Sequence, residues 1–246
     1  MIKRIKPKSG YSHAMHIGLN ILLPLLVLIL VRMQFAQLAV AIILLSKWRI
    51  FAVRPRYWAA NIRANSVDLI IGFSVVIFMT HSTAMAMQIV WGVSYAAWLI
   101  LIKPGSTVIK TATQALLAQL AGLTALYISL GGSPAFVLVI GAWAVCYLTA
   151  RHFFTSFDEP YTALYSHTWG YFAAALTWIL SHWLLFYGAI AQPALILSVL
   201  GYGMAALYYL DHTDRLSHSL RRQFVFIMVA VVAVVVVFSD WGDKAV

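Results

Sequence analysis

The amino-acid sequence predicts an all-α, polytopic transmembrane helical bundle of about nine spans with its N-terminus in the cytosol. Hydrophobic residues make up 63% of the 246 residues and charged residues only 10%, which is far from the composition of a soluble domain. The apolar residues fall into nine segments that contain no Asp, Glu, Lys or Arg, as the hydrocarbon core of a bilayer requires. The basic residues lie between these segments and are concentrated in every second connection.

The nine segments differ in length, and the early ones are short. They cover residues 17–31, 35–46, 69–80, 84–102, 111–129, 134–150, 168–188, 193–210 and 224–238. A helix needs about 20 residues to cross the hydrocarbon core, so the first segments must include flanking residues such as Trp48, Ile50 and Phe51. Glycine and proline residues at 104–105 and 131–134 predict tight connections. Because the connections are short, consecutive helices are expected to pack as antiparallel neighbours.

The distribution of Lys and Arg predicts the orientation of the chain. If every segment crosses the membrane from a cytosolic N-terminus, the cytosolic stretches hold 15 of the 17 basic residues, and only Arg32 and Lys244 lie outside. This arrangement predicts a basic cytosolic segment over 1–16, a single transmembrane domain over 17–239 and a short non-cytosolic tail over 240–246. A hairpin of the first two segments that does not span the membrane would leave seven spans with the same charge distribution, and this alternative remains open.

Anionic lipid explains the net charge of +10 better than a nucleic-acid partner does. Because the basic residues flank apolar segments, they are expected to contact anionic headgroups on the cytosolic face of the cell membrane. The single cysteine, Cys146, excludes a disulfide framework and a multi-cysteine zinc or iron-sulfur site. The sequence leaves the cofactor undetermined, and it leaves open a homo-oligomer or a membrane-protein partner.

The main concentration of polar residues is predicted on the cytosolic face. Asp158, Glu159 and His167 precede the seventh segment, and Asp211 and His212 follow the eighth. If these two helices pack as a hairpin about 8 to 10 Å apart, His167 comes near Asp211 and His212. Carboxylates and imidazoles at such a place can bind a divalent cation or act as acid and base. A solvated surface is the alternative, because the spacing matches no specific metal motif.

Two histidines near the outer face are candidates for ligand binding. His182 is placed within the seventh segment, and His81 lies at the outer end of the third. A histidine inside a membrane can hold a ligand, and a hydrogen bond to a neighbouring helix is the favoured alternative. Asp68 is interpreted as an acidic residue in the first turn of the third helix, where it complements the helix dipole.

Three functions are compatible with these features. Uncharged segments argue against a proton pump or an ion-coupled carrier and favour a non-enzymatic accessory, sensor or structural membrane component. The second hypothesis is a permease for a neutral or lipid-like solute, whose pathway would be lined by Gln88, Gln114, Gln119, Thr124, Thr177 and His182. The third is a lipid-modifying enzyme that uses the cytosolic carboxylates and histidines as metal ligands or as acid and base.

Overall fold

A computed structural model describes residues 11–105, 107–183 and 185–241, and within them the chain forms nine α-helices. These are α1 Tyr11–Arg32, α2 Ala36–Ser46, α3 Trp58–His81, α4 Met85–Ala97, α5 Val108–Leu130, α6 Ala135–Thr155, α7 Thr162–Leu180, α8 Gln192–His212 and α9 His218–Phe238. Short 3-10 turns lie at Trp48–Ile50, Pro55–Tyr57 and Ser181–Trp183, and a π-helical turn, Trp98–Ile102, extends α4. An antiparallel hairpin of β1 Phe186–Tyr187 and β2 Ile190–Ala191 precedes α8.

Six helical segments among the described residues are long and apolar enough to cross a membrane. They are Pro55–His81, Met85–Ile102, Val108–Leu130, Ala135–Thr155, Gln192–His212 and His218–Phe238. The apolar helical stretches Ile17–Arg32 and Ala36–Ser46 are shorter, and α7 has 19 residues. The fold is therefore consistent with the predicted all-α bundle.

Two helices begin or end at residues that differ from the bounds of the predicted apolar segments, because hydrophobicity alone does not determine where a helix begins or ends. The third segment was expected to begin at residue 69, but α3 begins at Trp58, because Asn and Arg side chains are compatible with helical backbone outside an apolar region. The seventh segment was expected to reach residue 188, and this is wrong: α7 ends at Leu180. Gly188, with φ of 62°, lies in the turn that pairs Phe186 with Ala191, a backbone conformation that glycine adopts without strain.

Three helices end in the same backbone motif, although none of them uses glycine. Gln34, Asp158 and Asp214 have φ of 65°, 52° and 54°. After α6, the Asp158 N–H donates to Thr155 O and the Glu159 N–H donates to Phe154 O. Equivalent pairs of bonds follow α1 and α8, which defines a Schellman motif at each end. Asp tolerates the left-handed conformation better than most residues, so these carboxylates occupy sharp turns at helix ends.

The described residues form two compact units. Unit 1 comprises residues 11–58 and 75–105, and unit 2 comprises residues 59–74, 107–183 and 185–241. In unit 1, α1 packs against α2 and α4. In unit 2, α6 packs against α5 and α7, and α8 packs against α5 and α9. Consecutive helices therefore pack against each other in the pairs α1–α2, α5–α6, α6–α7 and α8–α9.

In unit 1, the C-terminal end of α1 is joined to the beginning of α4 by a buried amide. Arg32 Nη1 donates to Gln88 Oε1 at 3.3 Å. Gln88 Nε2 donates to Met79 O at 3.1 Å and to Ser82 O at 2.9 Å. Further towards the N-terminus of α1, Asn20 shares a small cleft with Leu99, Lys103 and Pro104, which follow α4. Helix α1 therefore runs antiparallel along the whole of α4.

In unit 2, a second buried amide joins four helices. Gln119 of α5 is only 4% exposed. Its Nε2 donates to Leu197 O of α8 at 2.9 Å, and its Oε1 accepts from Trp169 Nε1 of α7 at 3.0 Å and from Thr149 Oγ1 of α6 at 3.5 Å. A Cβ atom at Gly201 would lie 2.5 Å from Gln119 Nε2. The glycine therefore gives this amide the room to reach α8.

Candidate functional site

A surface cleft among the described residues of unit 2 lies where α5 begins, α6 ends and α8 ends. Its volume is about 430 Å³. The cleft is lined by Thr107, Val108, Ile109, Ser156, Phe157, Asp158, Tyr209, His212 and Thr213. We call it the Asp158 cleft. Two of the predicted site residues, Asp158 and His212, thus line one concave surface, although they are 54 positions apart in the sequence.

The turn after α6 is held against the end of α8 by Glu159. Glu159 Oε2 accepts a hydrogen bond from the Tyr208 hydroxyl of α8. Glu159 Oε1 accepts from the backbone N–H of Tyr161 at 3.2 Å. The ring of Tyr208 stacks on His212 with 5.9 Å between centroids, and Phe157 meets His212 edge to face at 5.2 Å. Glu159 therefore positions the turn that carries Asp158.

His167 lies elsewhere, and the expectation that it comes near Asp211 and His212 is not met by its contacts. Its ring packs against Tyr147 of α6 at 4.6 Å and against Trp143 at 6.1 Å. Trp169, two residues further along α7, is the one that faces α8, where it lies beside Gly201 and bonds to Gln119. Residues two apart lie about 200° apart around a helix, so His167 points away from α8.

The metal interpretation of these residues finds no support in the structure. No group of three or more His, Cys, Asp or Glu side chains that could hold a metal ion occurs among the described residues. Asp211 contributes to the electrostatic surroundings of Tyr208. The remaining arrangement of Asp158, Glu159 and His212 offers one carboxylate without a partner among the described residues, one bonded carboxylate and an imidazole.

His182 and His81 are both exposed and bond to the ends of their own helices. His182 lies in the turn Ser181–Trp183, beyond the end of α7, so its predicted position inside a span is wrong. Its Nδ1 donates to Trp178 O at 2.8 Å. His81 Nδ1 lies 3.0 Å from Ile77 O. Carbonyl groups of a last helical turn lack intrahelical partners, and the His182 contact satisfies one of them, whereas the His81 contact is an additional bond within α3.

Asp68 is not in the first turn of its helix, as the sequence suggested. Because α3 begins at Trp58, Asp68 lies in its third turn. Its charge interacts with His152 of α6, whose Nε2 lies 3.0 Å from Gln114 Oε1 of α5. Asp68 therefore belongs to polar contacts between helices, and the capping interpretation is wrong.

Three of the polar side chains assigned to a solute pathway, Gln114, Gln119 and Thr177, make contacts between helices of unit 2. Tyr127 and Thr177, both buried, are hydrogen-bonded at 2.9 Å and join α5 to α7. Gln114 contacts His152, and Gln119 makes the bonds described above. Gln114, Gln119 and Thr177 are therefore each engaged by a neighbouring helix of unit 2.

Several residues that shape the Asp158 cleft were not singled out from the sequence. Phe157 and Tyr209 line it, and Tyr208 holds Glu159. The spacing of Tyr208 and His212, four residues apart at the end of an apolar helix, is a signal that could have indicated one shared face. Phe157 carries no such signal, since its position depends on the turn after α6.

The apolar helices and the composition together support the assignment of this chain to the helical membrane proteins. Comparisons with protein-family models, with curated proteins and with solved structures find no match to this chain.

Proposed function

We propose that this chain is a non-enzymatic, multi-pass protein of the cell membrane that acts as an accessory, sensor or structural component. The observation that carries this proposal is the use of buried polar groups in unit 2. Gln119 bonds to three other helices, and Thr177 bonds to Tyr127 across a helix pair. A pump or a carrier needs polar groups that remain open to its solute, whereas these groups stabilise helix packing. Neither the permease nor the enzyme hypothesis has a comparable observation in its support.

The functional test is whether the purified protein converts any lipid. We expect proteoliposomes made from a total lipid extract to keep their lipid composition during incubation, as measured by mass spectrometry against protein-free liposomes. Glu159 is the carboxylate that joins the turn after α6 to α8. A lipid product that forms with the wild type and disappears with Glu159→Gln would contradict the proposal, because the conversion would then depend on this side chain.

The proposed topology has nine spans and a cytosolic N-terminus. Its support is the packing of α1 in unit 1, where Arg32 contacts Gln88 at one end of α4 and Asn20 lies near Lys103 at the other. Since Met85–Ile102 is long enough to cross a membrane, a helix that follows it from end to end crosses as well. Helix α2 is about 16 Å long, so its return requires local thinning of the bilayer or snorkelling basic side chains.

The partner proposed for the cytosolic face is anionic lipid, held by the segment between α2 and α3. Trp48 is 61% exposed and Tyr57 is 47% exposed. The Arg56 guanidinium lies 4.6 Å from the centre of the Tyr57 ring, and Arg54 precedes it by two residues. Aromatic rings prefer the headgroup layer, and arginine attracts anionic lipid there.

Labelling of single cysteines distinguishes nine spans from seven. In a background that carries Cys146→Ala, which removes the buried free thiol, we expect Met33→Cys to react with a membrane-impermeant maleimide in intact cells. Met33 follows α1 and is 57% exposed. Lys110→Cys, in the first turn of α5, is the matched control and is expected to react only after permeabilisation. If Met33→Cys also requires permeabilisation, the first two helices do not span the membrane.

A further inference from the structure

The Asp158 cleft contains a carboxylate that no neighbouring group among the described residues uses. Asp158 is exposed and lines the cleft, and its side chain has no hydrogen-bond or ion-pair partner within the described part of the chain. The adjacent Glu159 differs, because it accepts bonds from Tyr208 and from the Tyr161 backbone. The structure therefore places one of two consecutive carboxylates in a structural contact and leaves the other available to a ligand.

Aromatic rings form the other part of the lining. Phe157 meets His212 edge to face at 5.2 Å and Tyr209 at 6.3 Å, and all three residues line the cleft. Aromatic faces attract alkylammonium groups when the cation lies within about 6 Å of a ring centre. A carboxylate beside several aromatic rings is therefore suited to an ammonium group, and it is unsuited to a free anion.

The position of the cleft indicates where such a cation comes from. The cleft lies at the ends of three segments that are long and apolar enough to cross a membrane, Val108–Leu130, Ala135–Thr155 and Gln192–His212. The end of such a segment lies at the level of the lipid headgroups. Ile109, which is 61% exposed, adds an apolar side chain to the rim. An amphipathic ligand with a cationic headgroup fits this combination of depth and lining.

We propose that the Asp158 cleft binds the ammonium group of a zwitterionic phospholipid headgroup, of the ethanolamine or choline type. Asp158 supplies the countercharge, and Phe157 and Tyr209 supply the aromatic surface. The phosphate of the same headgroup is compatible with the basic residues beside the lining segments, Lys110 after Ile109 and Arg215 after Thr213. The residues that line the cleft all belong to unit 2, so its chemistry does not depend on the proposed topology. Only the source of the ligand, a lipid of the membrane, rests on that topology.

The test uses the purified full-length chain in detergent, with water-soluble short-chain phospholipids added as probes. We expect dihexanoyl phosphatidylcholine and dihexanoyl phosphatidylethanolamine to raise the thermal unfolding midpoint saturably, because ligands that bind the native state stabilise it. The corresponding phosphatidylglycerol, which has no ammonium group, is expected to cause no saturable shift. Asp158→Asn is expected to weaken the binding of both zwitterionic lipids by about tenfold, the usual cost of losing a charged partner.

Asp214→Asn is a closely matched control. Asp214 has the same side chain and nearly the same φ as Asp158, 54° against 52°, and it follows α8 in the same kind of turn. It does not line the cleft, so its variant is expected to bind lipid as the wild type does. Asn also tolerates the left-handed conformation, so both variants keep their turns, which circular dichroism would verify.

Three results would overturn the inference: wild-type affinity in Asp158→Asn, an equal loss in Asp214→Asn, or an equal stabilisation by phosphatidylglycerol. Competition with free phosphocholine identifies the source of the ammonium group. If phosphocholine displaces the lipid at concentrations as low as those at which the lipid itself binds, and does so in an Asp158-dependent way, the ligand is a soluble ammonium compound; if much higher concentrations are needed, the lipid itself is the ligand. Because these measurements need no bilayer, their failure is distinguishable from a failure of the proposed topology, which cysteine labelling tests separately.

Discussion

Gln119→Leu is expected to lower the free energy of unfolding by about 2 kcal/mol. Leucine has a similar volume, so the change removes the bonds to Leu197 O, Trp169 Nε1 and Thr149 Oγ1 while it keeps most of the packing. Interhelical hydrogen bonds in membranes contribute about 0.6 kcal/mol each on average, and an indole N–H left unpaired in the interior adds a cost of its own. Reversible unfolding in mixed micelles, followed by circular dichroism, measures the difference.

An exposed glutamine provides the control for this substitution. Gln37 of α2 is exposed, so Gln37→Leu is expected to change the free energy of unfolding by less than about 0.5 kcal/mol. Equal effects of the two substitutions would show that the bonds of Gln119 do not stabilise the bundle.

A double-mutant cycle isolates the contact between Gln119 and Gly201. Gly201→Ala places a methyl group 2.5 Å from Gln119 Nε2, and this displaces the amide from its buried bonds. In the Gln119→Ala background the obstacle is gone, so the same Gly201→Ala substitution is expected to cost less. Residues in contact show coupling of about 0.5 to 3 kcal/mol in such cycles, and additive effects would contradict the contact.

Gly122→Val is expected to destabilise the protein by about 3 kcal/mol, the largest effect of the substitutions considered. A Cβ atom at Gly122 would lie 2.6 Å from Ile70 Cγ2 and 3.0 Å from Val145 Cγ1. Both neighbours are β-branched, and their side chains have few rotamers available for moving away. Overpacking of a close helix contact costs about 1 to 3 kcal/mol, occasionally more. The thermal unfolding midpoint and the yield of folded protein in detergent measure the effect.

Gly18→Val separates this steric effect from the intrinsic cost of valine in a helix. Gly18 lies within α1, and a Cβ atom there would meet no atom within 4 Å. Replacement of a helical glycine is expected to be neutral or slightly stabilising at such an open position. If Gly122→Val is tolerated as well as Gly18→Val, α5 does not make the close contacts described with α3 and α6.

The Asp158 cleft shows how far the sequence could predict a site. Asp158 and His212 were both candidates, since carboxylates and histidines collect where apolar segments end. The sequence could not predict that His167 points towards Trp143 and Tyr147, because a hairpin pattern gives the order of helices and leaves their rotation open. The aromatic part of the lining depends on the turn after α6, which places Phe157 against His212.

The sequence by itself determined the class of this protein, its helical content and the approximate location of each apolar segment, because burial in a hydrocarbon core excludes charge and leaves a pattern along the chain. Tertiary structure alone decided which polar groups meet. Gln88 and Gln119 look alike in the sequence, yet one joins α1 and α4 and the other joins four helices of unit 2. Their partners are set by helix rotation and by small residues such as Gly201, which permit close approach, and such contacts between distant positions leave no local pattern.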